Sequence, residues 1–225
     1  MRFKKLKLYT SQLESEFAFY SETLGFEIIT SSKNSFTVKM GWTELTFEKS
    51  EKDYHYHYCF LIPSNKLYEA LEWMEQRVDI IHLENGRKTQ NFETWNADSF
   101  YFYDASGNLA ECIARFDLAN EDHRDFDRSK VIGVNEIGMP TKDIKRINNQ
   151  LENELGTKFW KGDLDRFGTN GNQEGILLLP NYNIKQTWFP TGLKTKAEPL
   201  KVLIEYNENF YLVDYQNEQL KITNK

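Results

Sequence analysis

A switch between two hydrophobic periods, made twice in the same order, constrains this chain more than any other feature. Lys5-Leu6-Lys7-Leu8-Tyr9 alternates with period two, so Leu6 and Leu8 share one face of a strand and Lys5, Lys7 and Tyr9 the other. Leu13, Phe17, Tyr20 and Leu24 then recur at helical spacing, with Ser11 and Glu14 as a capping box and Gly25 as the stop. Three β-rich runs follow, Phe26 to Thr30, Phe36 to Met40 and Thr43 to Glu48. The order restarts with a strand at Tyr54 to Ile62 and a helix entered at Pro63-Ser64 that carries Leu67, Leu71 and Met74. Strands at Asp79 to Leu83, Phe100 to Tyr103 and Leu109 to Ala114 complete it, the last two joined by the turn Asp104-Ala105-Ser106-Gly107. The spacing therefore predicts an α+β fold of repeated βαβββ units, with curled mixed sheets and helices packed on their outer face.

A third unit begins after a charged, apolar-poor stretch. Val131 to Met139 reads as its first strand, and Thr141 as the cap of a helix with Ile144, Ile147, Leu151 and Leu155 on one stripe, stopped by Gly156. Strands at Lys158 to Lys161 and Gly175 to Pro180 flank a turn-rich Arg166–Gly171 stretch. Two further strands, near Leu200 to Tyr206 and Phe210 to Tyr215, have no helix between them, as in a fourth copy that has lost it. The predicted organisation is a complete two-unit domain over 1–117, a linker over 118–130, and a degenerate second half over 131–225.

Composition narrows the function classes. The net charge is −6, with Lys and Arg interleaved among Asp and Glu, so there is no basic face for a nucleic-acid backbone. No apolar run reaches bilayer length, and the basic N-terminus alternates like a strand instead of forming a signal core, so neither membrane nor export is expected. The two cysteines, Cys59 and Cys112, both lie in apolar segments, which fits buried thiols and a cytoplasmic location.

Two local sequences carry a resemblance. Leu8-Tyr9-Thr10 running into Phe19-Tyr20-Ser21-Glu22-Thr23-Leu24-Gly25-Phe26 resembles the opening strand and FYxxxLGF helix end of the vicinal oxygen chelate superfamily, the glyoxalase, bleomycin-resistance and extradiol-dioxygenase group. Asp104-Ala-Ser-Gly107-Asn108-Leu109-Ala-Glu111 is similar to its DPDGNxxE turn and strand. The resemblance implies a cup that binds a small organic molecule, a homodimer, and ligands for one divalent ion (Zn, Ni, Fe or Mn) on the first and last strands of paired units. Carried over residue by residue, it gives Lys5, Glu44, His57 and Glu111, with Glu44, His57 and Glu111 as metal ligands and Glu44 and Glu111 as catalytic carboxylates. Parity agrees on the side of the strand each takes, since Leu45, Phe47, Tyr58, Phe60 and Ile62 occupy the opposite faces. Lys5, Tyr9, Trp42, His55, Tyr101 and Tyr103 are the expected substrate-binding residues.

Lys5 departs from the family's metal-binding pattern, because an ammonium offers no lone pair. Two functions therefore stand side by side. One is isomerase, lyase or dioxygenase chemistry assisted by a metal ion. The other is a metal-free binding or sequestering cup in which Lys5 replaces the ion's charge by pairing with Glu44 and Glu111.

Overall fold

The computed structural model describes residues 1–84 and 86–225. Among these described residues, fifteen strands and three α-helices follow in chain order. The first unit holds β1 (Arg2–Thr10), α1 (Leu13–Ala18), β2 (Glu27–Ser31), β3 (Ser35–Met40) and β4 (Thr43–Lys49). The second holds β5 (His57–Ile62), α2 (Leu67–Glu75), β6 (Gln90–Phe92), β7 (Ala97–Tyr103) and β8 (Leu109–Arg115). The third holds β9 (Gly133–Gly138), α3 (Ile144–Leu155), β10 (Phe159–Gly162), β11 (Phe167–Asn172) and β12 (Gly175–Pro180). Last come β13 (Leu200–Tyr206), β14 (Asn209–Gln216) and β15 (Gln219–Asn224).

The units do not pair in chain order. A seven-stranded sheet runs β15-β14-β13-β1-β4-β3-β2, and an eight-stranded sheet runs β10-β11-β12-β9-β5-β8-β7-β6. The first unit thus joins the helix-less last one, through antiparallel β1 and β13, while the second joins the third through antiparallel β5 and β9. Within each of the first three units the first strand lies parallel to the last: β1 with β4, β5 with β8, β9 with β12. A parallel pair needs a crossover, and α1, α2 and α3 start those crossovers.

Alternation decides which faces are dry. Leu6, Leu8, Leu45 and Phe47 of the first sheet and Tyr58, Phe60, Phe102 and Leu177 of the second belong to one core with the helix stripes. The two sheets therefore turn their buried faces toward a shared apolar interior and their other faces outward. A buried polar fastener joins them. Glu16, leaving α1, accepts from the Ser106 N–H at 3.3 Å and from Asn108 Nδ2 at 3.3 Å, both in the turn between β7 and β8. Asp104 of that turn accepts from Tyr58, whose hydroxyl also meets Tyr20 at 2.5 Å.

Several local expectations shift. Ser11 does not cap α1, because its hydroxyl donates to Asp53 instead, and Gln12 stands at the N-cap. Thr141 also yields its place. Asp143 caps α3 by accepting from the Arg146 N–H, and Gly156 ends the helix in the left-handed region at φ 77°. Asp79 to Leu83 forms only a bridge at Ile80 to Phe102. Arg166–Gly171, read as a turn, is mostly strand β11, since its glycines fit between β10 and β12: a Cβ on Gly168 would sit 2.8 Å from the Asp163 carbonyl and 2.8 Å from the Phe159 ring. Both cysteines are free and buried.

Candidate active site

The eight-stranded sheet gathers buried ionisable side chains on its outward face. Tyr101, Glu111, Cys59, Glu136 and Ile176 stand in register across β7, β8, β5, β9 and β12. Glu111 and Glu136 flank the short Cys59, and neighbouring strands lie only ~4.8 Å apart, so the two longer side chains can lean together above the thiol. His57, two residues before Cys59 on β5, projects from the same face. Ligand-capable atoms of His57, Glu111 and Glu136 all lie within 4.8 Å of one another, and all three residues are buried.

Hydrogen bonding fixes what this group presents. His57 Nδ1 lies 3.0 Å from the Leu109 carbonyl, so Nδ1 carries the proton and donates. Nε2 is left with a lone pair, 3.4 Å from Glu111 Oε2. Burial holds the imidazole pKa down at about 4, with the charge of Lys185 adding to the effect, so the ring is neutral. Burial, then the charge of Glu136, pushes the Glu111 carboxyl up to about 8. Two lone-pair atoms facing each other in a dry pocket call for a cation between them, either a proton or a metal ion.

Glu136 is handled differently. Burial raises its carboxyl while Arg115, at the end of β8, pulls it back. Arg115 is fully buried, donates through Nε to Asn135 Oδ1 at 2.7 Å and through a second nitrogen to Glu136 Oε1, and lies under Trp95 and Trp160 at 5.6 and 5.4 Å. Its remaining nitrogen has no hydrogen-bond partner. Glu136 Oε2 remains outside that pair.

A cavity of about 260 Å³ opens beside the triad. Its walls are largely aromatic, with Trp95 and Tyr101 from the second unit and Trp188 and Phe189 from the segment after β12, Phe189 lying edge-on to Tyr101 at 5.9 Å. The Trp188 ring sits 4.8 Å from the His57 ring, over Gly138, where a Cβ would come within 2.6 Å of the indole. Only a glycine lets Trp188 approach this closely.

Of the residues expected from sequence, His57, Glu111 and Tyr101 line this cavity, and the others do not. Lys5 and Glu44 are partners across β1 and β4 of the other sheet, with their charged atoms 2.8 Å apart at the surface. They join neither His57 nor Glu111, because the outward faces of the two sheets point away from each other. Glu44 is thus neither a metal ligand nor a catalytic carboxylate of this cavity, and the partner of Glu111 is His57 rather than Lys5. Tyr9 lies edge-on to Tyr54. Trp42 sits under Arg2 and against Gly133, and His55 packs near Gly107. Tyr103 borders a separate surface hollow with Phe19 and Asp79.

Sequence reasoning left Glu136, the counterpart of Lys5 in the third unit, outside the site, and did not single out Arg115, Lys185 or Trp188. The signal for the first two was present. Each is a charged residue in or directly after an apolar strand, the same cost that marked Glu111.

Two βαβββ units sharing one sheet through their first strands, with a His/Glu/Glu group on its open face, define a vicinal-oxygen-chelate architecture. The sequence comparison agrees for the first half of the chain: residues 2–112 match the model of the Glyoxalase/Bleomycin resistance protein/Dioxygenase superfamily. A dioxygenase-like protein from Bacillus subtilis subsp. subtilis str. 168 is similar over 100% of this chain and 84% of its own, at 12% identity and a TM-score of 0.64. A point mutant of glyoxalase I from Zea mays is similar over 80% of this chain and 69% of its own, at 11% identity and a TM-score of 0.51. At these identities the likeness is one of fold. No curated protein matches the chain. No helix among the described residues is long and apolar enough to cross a membrane.

Proposed function

We propose that the chain binds a small organic molecule in the cavity beside His57 and holds one divalent ion there through His57, Glu111 and Glu136. The observation carrying this is the His57 tautomer: Nδ1–H is committed to the Leu109 carbonyl, so Nε2 turns its lone pair toward two carboxylates. That is the arrangement by which a histidine ligand is oriented from behind. One imidazole and two carboxylates suit a hard or borderline ion such as Zn, Ni, Fe or Mn. Bound there, such an ion polarises an oxygen-bearing substrate and stabilises developing negative charge, the chemistry of a metal-assisted isomerase, lyase or dioxygenase. The chain's own residues orient the molecule among aromatic walls and exclude water, and while no ion holds it the Glu111 carboxyl, at a pKa of about 8, moves a proton near neutrality.

One observation favours a metal-free version. Arg115 already supplies a buried positive charge to Glu136, the electrostatic role expected earlier of Lys5, and a proton on Glu111 would satisfy His57 Nε2. Elemental analysis of the purified protein separates the two. Stoichiometric Zn, Ni, Fe or Mn that is lost on His57→Ala supports the metal site. Less than about a tenth of an equivalent after reconstitution with each ion supports the proton, and with it a binding or sequestering protein.

A further inference from the structure

Two cations line the cavity outside any ion pair of the described residues. Lys185 Nζ is half-buried and donates to the Thr187 carbonyl at 3.1 Å, and the Arg166 side chain lies near enough for its charge to be felt there. Neither is among the ion pairs of the described residues. Asp163, the carboxylate close to Arg166, accepts from the backbone N–H groups of Asp165 and Arg166 at 2.9 and 2.5 Å. Glu136 is matched by Arg115. Lys185 and Arg166 thus bring positive charge to the cavity wall outside any ion pair of the described residues. Holding two cations in a half-dry, mostly apolar space is costly unless an anion completes it.

The other walls specify the body of the ligand. Trp188, Phe189, Trp95 and Phe167 all line the cavity, the last two with rings 6.5 Å apart and 31° from parallel. Flat aromatic walls favour a flat ring. At about 260 Å³ the space falls just below the usual ~300–1,000 Å³ of ligand pockets, which limits the guest to about one ring.

We infer that the ligand is a single-ring aromatic acid, its carboxylate held by Lys185 and Arg166 and its ring packed among Trp188, Phe189, Trp95 and Phe167. This deepens the proposed function and rests on it for the choice of cavity, though not for the presence of a metal.

The test is calorimetric titration of the full chain with 4-hydroxybenzoate, 4-hydroxybenzamide and cyclohexanecarboxylate, before and after removal of metal with a chelator. Under the proposal, 4-hydroxybenzoate binds at least tenfold tighter than either comparison compound. Lys185→Gln and Arg166→Gln each weaken it at least fivefold and leave the amide unchanged, while Lys185→Arg retains affinity. The preference for acid over amide persists in chelator-treated protein, so a protein that never holds metal still supports the inference. Equal binding of acid and amide, no measurable binding of 4-hydroxybenzoate, or an acid preference that disappears with the metal would each overturn it.

Discussion

The two sheets are built alike and used differently. Each joins two units through antiparallel first strands, and each packs one face on the common core. On the seven-stranded sheet the outward face carries surface ion pairs, Lys5–Glu44, Lys7–Glu48 and Lys201–Asp214, with charged side chains roughly a third or more exposed. On the eight-stranded sheet the same face carries His57, Glu111, Glu136 and Arg115, all buried. What separates them is a roof. The segment after β12 lays Trp188 and Phe189 over the second sheet, and Trp95 and Trp160 cover Arg115. β13, β14 and β15 follow one another with no helix between them among the described residues, and the ion pairs on the outward face of the first sheet stay solvent-exposed. Charged residues on an open face are solvated and cheap, whereas under a roof their protonation and pairing become chemistry.

Breaking an ion pair on each sheet measures that contrast most strongly. Arg115→Met leaves Glu136 buried and unpaired and is expected to cost about 3–5 kcal/mol in urea unfolding. Lys5→Met, on the open face, is expected to cost under about 1 kcal/mol by the same measurement. Similar losses would mean that the roof does not exclude water.

The roof itself is tested at Gly138. A methyl there meets the Trp188 indole at 2.6 Å and the His57 carbonyl at 3.3 Å. Gly138→Ala should destabilise by about 1–3 kcal/mol and shift tryptophan emission to the red as Trp188 is displaced.

The fastener between the sheets sets a pH dependence. Burial, and then the charge of Asp104, raises the Glu16 carboxyl from 4.5 to about 10, and Glu16 Oε2 meets no donor, as fits the oxygen holding the proton. The folded chain then keeps a proton that the unfolded chain releases above the ordinary carboxylate pKa. Its contribution is full below about 4.5 and declines as pH rises toward about 10. Glu16→Gln should flatten that decline in unfolding free energy against pH, while Glu16→Ala should lose about 1–3 kcal/mol by stranding its donors. An unchanged slope in Glu16→Gln would remove Glu16 from the account.

The sequence revealed one half of the site's geometry. Alternation put His57 opposite Tyr58 and Phe60, Glu44 opposite Leu45 and Phe47, and Lys5 opposite Leu6, and the burial of those apolar residues agrees, because side-chain parity is a local property of one strand. It could not report which strands meet. β1 pairs with β13 and β5 with β9 through backbone hydrogen bonds that carry little trace in side-chain pattern, and that choice moves Glu44 out of the site and Glu136 into it. The missed strand β11 has the same origin. Gly-Thr-Asn-Gly-Asn has poor strand propensity, and its neighbours β10 and β12 hold it extended.

Divalent-ion titration of three proteins reaches the central claim, that the site spans the second and third units. The chain as it stands and Glu44→Gln should bind one Mn or Zn ion with equal affinity, while Glu136→Gln should weaken binding at least a hundredfold. Loss of the ion in Glu44→Gln with retention in Glu136→Gln would contradict it and return the site to the first two units.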